Sequence, residues 1–444
     1  MLIFKANKIS GIPATNFALS VIPHMVNMQQ GRIKFLFPFY AISLNIKNDK
    51  ADEWIRQKDY EKVTDEIIDY IQKNGISYFE ELKKQVREGA EDLKLKSIKL
   101  QKEINPLTED ELIKEYNNFI TSYCNYYVIG AIAFLYEHIV SQRLSDSLSR
   151  YKNSTEIIES LLNTDYKSFM MESEDMLIDI GKGKSTLEDY QKEFFFIKAN
   201  YEDAPILDEN LVKKEISNFS PIPQNKKSKT KANLTDTEKI MVNLLRITEE
   251  IRDQRKKLNL IGSYTIFRFL DEAVKRTGIE RNLAKRIFFF EFSDLIKDKK
   301  IKNRLQKREY VSYVYDGKKV HYLEYPALVE ENQFDKQQKV IKGVSASKGI
   351  VKGKVKIIFG TKDFQKLKPG DILVTEMTRP DFISVMKKAS AIITDEGSLT
   401  CHAAIVAREL GIPCIVGTKI ATRLLKDNQE IEVDANKGII KIIR

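Results

Sequence analysis

The segment TDEGSLTCHAAIVARELGIPCIVG, residues 394 to 417, constrains the fold more than any other stretch, because its punctuation dictates turn, helix, stop and strand in order. Ala391 to Thr394 and Pro413 to Val416 are short β-rich runs that bracket it. Between them, Ser398 or Thr400 offers an N-cap, Ala403 to Leu410 propagate a helix, Gly411 suits a left-handed stop and Pro413 blocks continuation. His402, one of only four histidines, falls in the first turn among the small residues Cys401, Ala403 and Ala404, so its ring is open to a bulky partner. Unpaired N–H groups and the positive dipole end at that point disfavour an imidazolium and favour an anion. A neutral imidazole that attacks phosphorus and then carries a phosphoryl group suits such a place. Thr400 is positioned to hydrogen bond one ring nitrogen and leave the other nucleophilic. The residues alone leave a plainer reading open, a half-buried histidine capped by local hydroxyls.

The same β-rich pattern recurs at Lys354 to Ile358, Ile372 to Thr375, Glu430 to Val433 and Ile439 to Ile443, with Gly, Pro and Asp turns and two helices between the runs. A compact α/β domain over residues 341 to 444 follows. The polar stretch before it, residues 330 to 340, contains EENQFDKQQK and has no apolar pattern able to dock, as a flexible tether requires. Upstream the periodicity is helical, for example Ile240, Leu244, Ile247 and Ile251 behind a capping box of Thr235 and Glu238. Similar patterns run through Asp65 to Ile71, Glu80 to Ile98, Glu109 to Val140 and Ser154 to Ile180. The expected fold class is a multidomain chain, a largely α-helical N-terminal region followed by a C-terminal α/β domain. Its expected divisions are a helical domain at 1 to 219, an exposed loop or linker at 220 to 233 (SPIPQNKKSKTKAN), and a second helical region at 234 to 329.

Several separate motifs in the last quarter carry a resemblance. GVSASKGIVKGKVKII (343 to 358), GDILVTEMTRPDF (370 to 382) and MKKASAIITDEGSLTCHAAIVARELGIPCIVG (386 to 417) resemble the phosphohistidine swivelling domain of the PEP-utilising enzymes, which include phosphoenolpyruvate synthase, pyruvate phosphate dikinase and rifampicin phosphotransferase. The resemblance implies that His402 accepts and carries a phosphoryl group originating from ATP or from phosphoenolpyruvate, with Thr400 orienting it. Phosphoenolpyruvate synthases usually have a second glycine and often an arginine where this chain has Ser398 and Leu399. A more distant resemblance, over 247 to 279, 288 to 297 and 306 to 311, is to the helical region before the swivelling domain of rifampicin phosphotransferase, which holds the acceptor. It implies Arg252, Arg255 and Arg308 as contacts to a phosphate or an anionic acceptor, against the ordinary reading of solvated helix faces. Ser398 and Arg408 are further phosphate or partner contacts in this reading. Arg408, six positions along the helix, points away from His402 and suits docking better.

No Gly-rich phosphate loop is legible near the N-terminus and no βαβ alternation through residues 1 to 330, and His24, His138 and His321 have no metal-type spacing among themselves or with the cysteines. The expectation is therefore a phosphotransferase component without a metal of its own. An ATP-grasp nucleotide-binding protein in trans would bring ATP and Mg2+, and a small-molecule or phosphorylated acceptor would receive the group. The alternative is a non-catalytic regulatory or partner-binding protein that keeps the swivelling fold. Three cysteines form no disulfide framework, the longest apolar run, Tyr126 to Tyr136, is too short to span a bilayer, and no secretory pattern opens the chain. Cytoplasmic placement without a membrane is expected. The net charge of +10 favours an anionic substrate or partner, and without an aromatic-basic motif it argues against nucleic acid.

Overall fold

A computed structural model describes residues 3 to 443 apart from 14–41, 48–49, 56, 152, 163, 165, 202, 219–231, 309, 316–319, 325–327, 332–337, 379–381 and 400. Nearly all of the basic stretch 220 to 233, most of the expected tether 330 to 340, and Thr400 lie outside the described residues.

The helical region contains α1 (Gln57–Asn74), α2 (Ser77–Glu103), α3 (Glu109–Gly130), α4 (Glu137–Leu148), α5 (Ser154–Leu162), α6 (Phe169–Gly181), α7 (Leu187–Phe194), α8 (Glu209–Asn218) and α9 (Asp236–Thr277). The expected helix from Glu109 to Val140 is broken by a tighter turn at Ala131–Leu135. Helix α9, 42 residues long, is the axis of the region. The capping box forms as the sequence indicates: the Thr235 N–H donates to Glu238 Oε2 at 2.8 Å and the Glu238 N–H to Thr235 Oγ1 at 3.2 Å. Gly278, at φ 67°, ends the helix in the left-handed conformation. Packing of α9 on α3 is close enough that a Cβ on Gly262 would lie 2.5 Å from the Tyr123 ring, whose hydroxyl donates to Asn259 Oδ1 at 2.8 Å. The stretch Glu109–Leu148 is long and apolar enough to cross a membrane, yet 71% of its apolar window is buried inside the protein, as in a core helix.

A six-stranded sheet accompanies these helices where helical periodicity was expected. Its order is β5-β4-β2-β3-β1-β6, built from β1 (Ile3–Pro13), β2 (Ile42–Lys47), β3 (Lys50–Ile55), β4 (Tyr310–Tyr315), β5 (Val320–Leu323) and β6 (Leu328–Glu331). Runs such as YVSYVY are rich in aromatic and β-branched residues, which fit a pleated surface. Their partners lie at the opposite end of the described chain, for instance Leu44 opposite Tyr313.

The C-terminal domain is an eight-stranded sheet of order β7-β14-β13-β9-β10-β11-β12-β8. The strands are β7 (Val340–Lys342), β8 (Val344–Ser347), β9 (Ile350–Ile357), β10 (Ile372–Thr375), β11 (Ala391–Thr394), β12 (Cys414–Val416), β13 (Glu430–Asp434) and β14 (Ile439–Ile442). Strands β9 to β12 run parallel and the flanking pairs antiparallel. Every residue of β10 and β11 is buried, so these strands read as apolar runs and not as alternating ones. Alternation persists in which face they cover. Ile372, Val374, Ala391 and Ile393 join the domain's own small core, whereas Leu373 and Ile392 join a larger cluster that continues into the helical region. The two regions are thus docked through a shared apolar core. The carboxyl ends of the parallel strands β10, β11 and β12 deliver the loops after Thr375, Thr394 and Val416 to one edge of the sheet, where open α/β sheets place their sites.

Candidate phosphoryl-carrier site

His402 is the first residue of helix α10 (His402–Leu410), and Gly411 at φ 67° stops that helix. The N-cap is Cys401, extended at φ −74° and ψ 163° with no side-chain cap, and not Ser398 or Thr400 as the sequence suggested. The reason lies in where the Ser398 hydroxyl goes: it donates to Glu137 Oε1 on α4 at 2.6 Å. Gly397 turns the loop at φ 119°, and a Cβ there would sit 2.7 Å from Cys401 Sγ. Arg408 clips the loop to the domain, its Nε donating to the Ala346 carbonyl at 2.9 Å and its Nη2 to the Leu399 carbonyl at 2.6 Å. Leu399 is fully buried.

The ring itself is held by a residue that sequence reasoning missed. Thr378 Oγ1 lies 2.8 Å from His402 Nδ1, bridging the loops after the adjacent parallel strands β10 and β11. With Nδ1–H donating to Oγ1, Nε2 carries the ring's lone pair. Burial, and then the charges of Lys256 and Arg252, hold the His402 imidazole down to about 4, so it is neutral at physiological pH.

Those cations come from α9, on which Glu249, Arg252, Asp253 and Lys256 share one face at helical spacing. Arg252 Nη1 pairs with Glu137 Oε1 at 2.7 Å, the same oxygen that accepts from Ser398. Thr164 donates to Glu249 Oε2 at 2.9 Å, and the Tyr166 hydroxyl and Phe169 N–H donate to Asp253 Oδ2 at 2.7 and 3.1 Å. These bonds occupy both carboxylates with the 164 to 169 segment. Lys256 stands 6.0 Å from the Phe169 ring, and its surroundings lower its pKa. Sequence reasoning named Arg252 and passed over Lys256, although it lies one helical turn further on the same face.

The other expected arginines go elsewhere. Arg255 packs against Gly130 with its guanidinium 5.9 Å from the Tyr127 ring. Arg308 is buried, makes a two-pronged pair with Glu291 at 2.7 and 2.9 Å, bonds Glu324, and covers the Phe288 ring at 4.4 Å. None of these partners belongs to the His402 loop. Cys124 and Cys414 are buried and Cys401 half-buried, all free, with burial pushing each thiol up as for inert packing residues. Among the described residues no group of three or more His, Cys, Asp or Glu is arranged to hold a metal.

Residues 367–438 match the family described as PEP-utilising enzyme, mobile domain. A probable phosphoenolpyruvate synthase of Archaeoglobus fulgidus is 58% identical over 101 residues, 23% of this chain and 13% of that protein. The phosphoenolpyruvate synthase of Pyrococcus furiosus is 46% identical over 129 residues, 29% of this chain and 16% of that protein. The chain therefore spans well under a quarter of the length of these relatives. Among solved structures, Thermococcus kodakaraensis aconitase X (holo-form) is similar at 22% identity and a TM-score of 0.20, covering 24% of this chain and 98% of that one. The resemblance read from the C-terminal motifs holds over the segment that carries them.

Proposed function

We propose that this chain is a phosphotransferase component in which His402 carries a phosphoryl group from a donor module to an acceptor presented by the helical region. The observation that carries this reading is the Thr378–His402 pair, which occupies Nδ1 and leaves Nε2 for chemistry, with the charges of Lys256 and Arg252 near enough to act on the ring. The similarity of residues 367–438 to mobile domains of PEP-utilising enzymes supplies the chemical class.

In the charging step Nε2 attacks the terminal phosphorus, a P–N bond forms, and the P–O bond to the leaving group breaks with its electron pair. The ring then keeps Nδ1–H on Thr378 Oγ1. In the discharge step an acceptor oxygen attacks phosphorus, the P–N bond returns its electrons to the ring, and the acceptor's proton leaves to solvent or a carboxylate. Arg252 and Lys256 offset the negative charge on the phosphoryl oxygens as they approach the helical region. The donor is ATP, bound with Mg2+ by an ATP-grasp partner, and the acceptor is a small molecule. Three cysteines without a disulfide fit a reducing compartment, so the cytoplasm is the proposed location.

Leu399 supports a second reading. It is fully buried where phosphoenolpyruvate synthases often have an arginine, so this position offers no phosphate contact, as in a non-catalytic protein that keeps the fold.

Intact-mass measurement of the full chain incubated with ATP, Mg2+ and each candidate ATP-grasp protein tests the proposal. One acid-labile, base-stable phosphoryl group is expected on the wild type and none on His402→Ala. An unmodified wild type beside a partner that demonstrably turns over ATP favours the second reading.

A further inference from the structure

The tight turn at Ala131–Leu135, which breaks the expected helix, re-aims the chain, and the three residues after it make three different attachments. Tyr136, fully buried, pairs its hydroxyl with Thr248 Oγ1 on α9 at 2.8 Å. His138 bonds the Gly397 backbone in the loop that leads to His402. It also meets the loop after β12 so closely that a Cβ on Gly417, at φ 70°, would lie 3.1 Å from its Cε1. Glu137, between them, joins both elements through one oxygen: Oε1 accepts from Arg252 Nη1 on α9 at 2.7 Å and from Ser398 Oγ in the His402 loop at 2.6 Å. Thr248 and Arg252 are four residues apart on α9, so Tyr136 and Glu137 form consecutive rungs to one face of that helix.

We infer that Glu137 is a positioning residue for phosphoryl transfer, acting through Arg252, whose guanidinium it holds at a fixed place relative to the His402 loop. The inference rests on the reading of His402 as the carrier. Arg252 is one of the two cations whose charge reaches the His402 ring. An arginine on a long stem samples many positions unless something orders it, and order set beforehand does not have to be created during the reaction. Glu137 supplies that order. Because the same oxygen also takes Ser398, four residues before His402, the guanidinium is referenced to the carrier loop as well as to its own helix.

The setting suits a fixed pair. The Glu137 and Arg252 side chains are only 13% and 23% exposed, so water and salt screen them less than a surface pair. Glu137 is the first residue of α4, where the positive end of the helix dipole favours a carboxylate. Its negative charge would repel a phosphoryl group, so its contribution to transfer is aim and not charge. Geometry and charge therefore separate in its variants: Glu137→Gln keeps the reach and an accepting oxygen without the charge, and Glu137→Asp keeps the charge without the reach.

Phosphoramidate tests this on the full chain with no partner. Nε2 attacks phosphorus, the reagent's P–N bond breaks, and ammonia leaves with the electron pair, the reverse of discharge with ammonia as acceptor. Uptake is read by intact mass, and folding by circular dichroism. The wild type is expected to take up one phosphoryl group and His402→Ala none. Arg252→Ala, Glu137→Ala and Glu137→Asp should each slow uptake about tenfold or more, whereas Glu137→Gln should stay within about threefold of the wild type. Glu137→Ala combined with Arg252→Ala should be no slower than Arg252→Ala alone, within about twofold, since one residue acts through the other. Lys348→Gln, which removes a different ion pair between the regions, with Glu156 at 3.0 Å, should react as the wild type does. The inference is overturned if the two alanine losses multiply, if Glu137→Asp matches the wild type, if Glu137→Gln is as slow as Glu137→Ala, or if Lys348→Gln slows uptake equally. A wild type that takes up no phosphoryl group on His402 would remove the carrier reading and the inference with it, whereas uptake indifferent to Glu137 would remove the inference alone.

Discussion

Two neighbouring residues of α4 divide the seam between the regions into unlike halves. Glu137 reaches toward the His402 loop, where its Oε1 takes both the Ser398 hydroxyl and Arg252. His138 bonds the Gly397 backbone one residue earlier in that loop and lines a cavity walled by Glu61 and Arg143 on one side and Lys342 and Lys419 on the other. Both histidines of the seam are held at about 4, but for different reasons after burial: His402 by Lys256 and Arg252 of the helical region, His138 by Lys419 of the C-terminal domain. Each region thus keeps the other's imidazole neutral. The difference lies in what the neutral ring is free to do. His402 has its Nδ1 on a hydroxyl, which leaves its other nitrogen for chemistry. His138 is bonded to backbone beside a glycine that admits no side chain, which suits a wall.

The largest expected effect separates the two rings. His402→Asn should abolish phosphoryl labelling altogether, whereas His138→Asn should keep it. Loss of labelling in both, with folding intact by circular dichroism, would erase the distinction.

Next come the cations across the seam. Lys256→Met and Arg252→Ala should each slow discharge to acceptor by about 10² to 10³-fold, the usual consequence of losing one group aimed at developing charge, while His402 is still labelled by the donor module. A parallel loss in labelling would mean that these residues serve folding or docking and not transfer. A smaller change is expected from Thr378→Val. Removing a single hydrogen bond to the ring should cost about 1 kcal/mol, or roughly fivefold in labelling rate, and Thr378→Ser should restore it.

Acid should loosen the seam. Burial at the docked seam holds both imidazoles at about 4, below the ordinary 6.5, so a state that exposes them takes up more protons between those values. Docking is therefore at full strength above 6.5 and weakens as the pH falls toward 4. Glu174 and Glu409 act in the opposite sense, since burial and, for Glu409, the nearby Glu174 raise both carboxyls. The histidine contribution is isolated by difference: His138→Asn should show a shallower acid-side loss of docking than the wild type, read by fluorescence transfer between a label on each region. Last, Ser398→Ala removes one bond to Glu137, a carboxylate that Arg252 still pairs, and should weaken docking by only several-fold.

Legibility in the sequence followed the range of the interaction. The capping box of Thr235 and Glu238, the left-handed stop at Gly411 and the strands from Ile372 to Ile442 are set by neighbours a few residues apart, and all were readable. Thr378 was not, because its partner lies 24 residues away and meets it only when β10 and β11 pair in parallel. The usable signal was there: a hydroxyl three residues beyond a buried strand, next to the strand that leads into the histidine. The N-terminal sheet was missed for a similar reason, since β2 finds β4 across most of the chain. Arg308 was singled out by a distant resemblance, and only the fold shows it paired with Glu291.

The most direct test is the site of attachment. Phosphorylating the full chain, enzymatically or with phosphoramidate, and resolving the product by ¹⁵N and ³¹P NMR identifies the nitrogen that bears phosphorus. The expected result is phosphorus on Nε2 of His402, with Nδ1 protonated and still bonded to Thr378, and an unmodified ring that stays neutral down to about pH 4. Phosphorus on Nδ1, modification confined to other histidines, or an imidazole at His402 already charged at pH 7 would contradict the account.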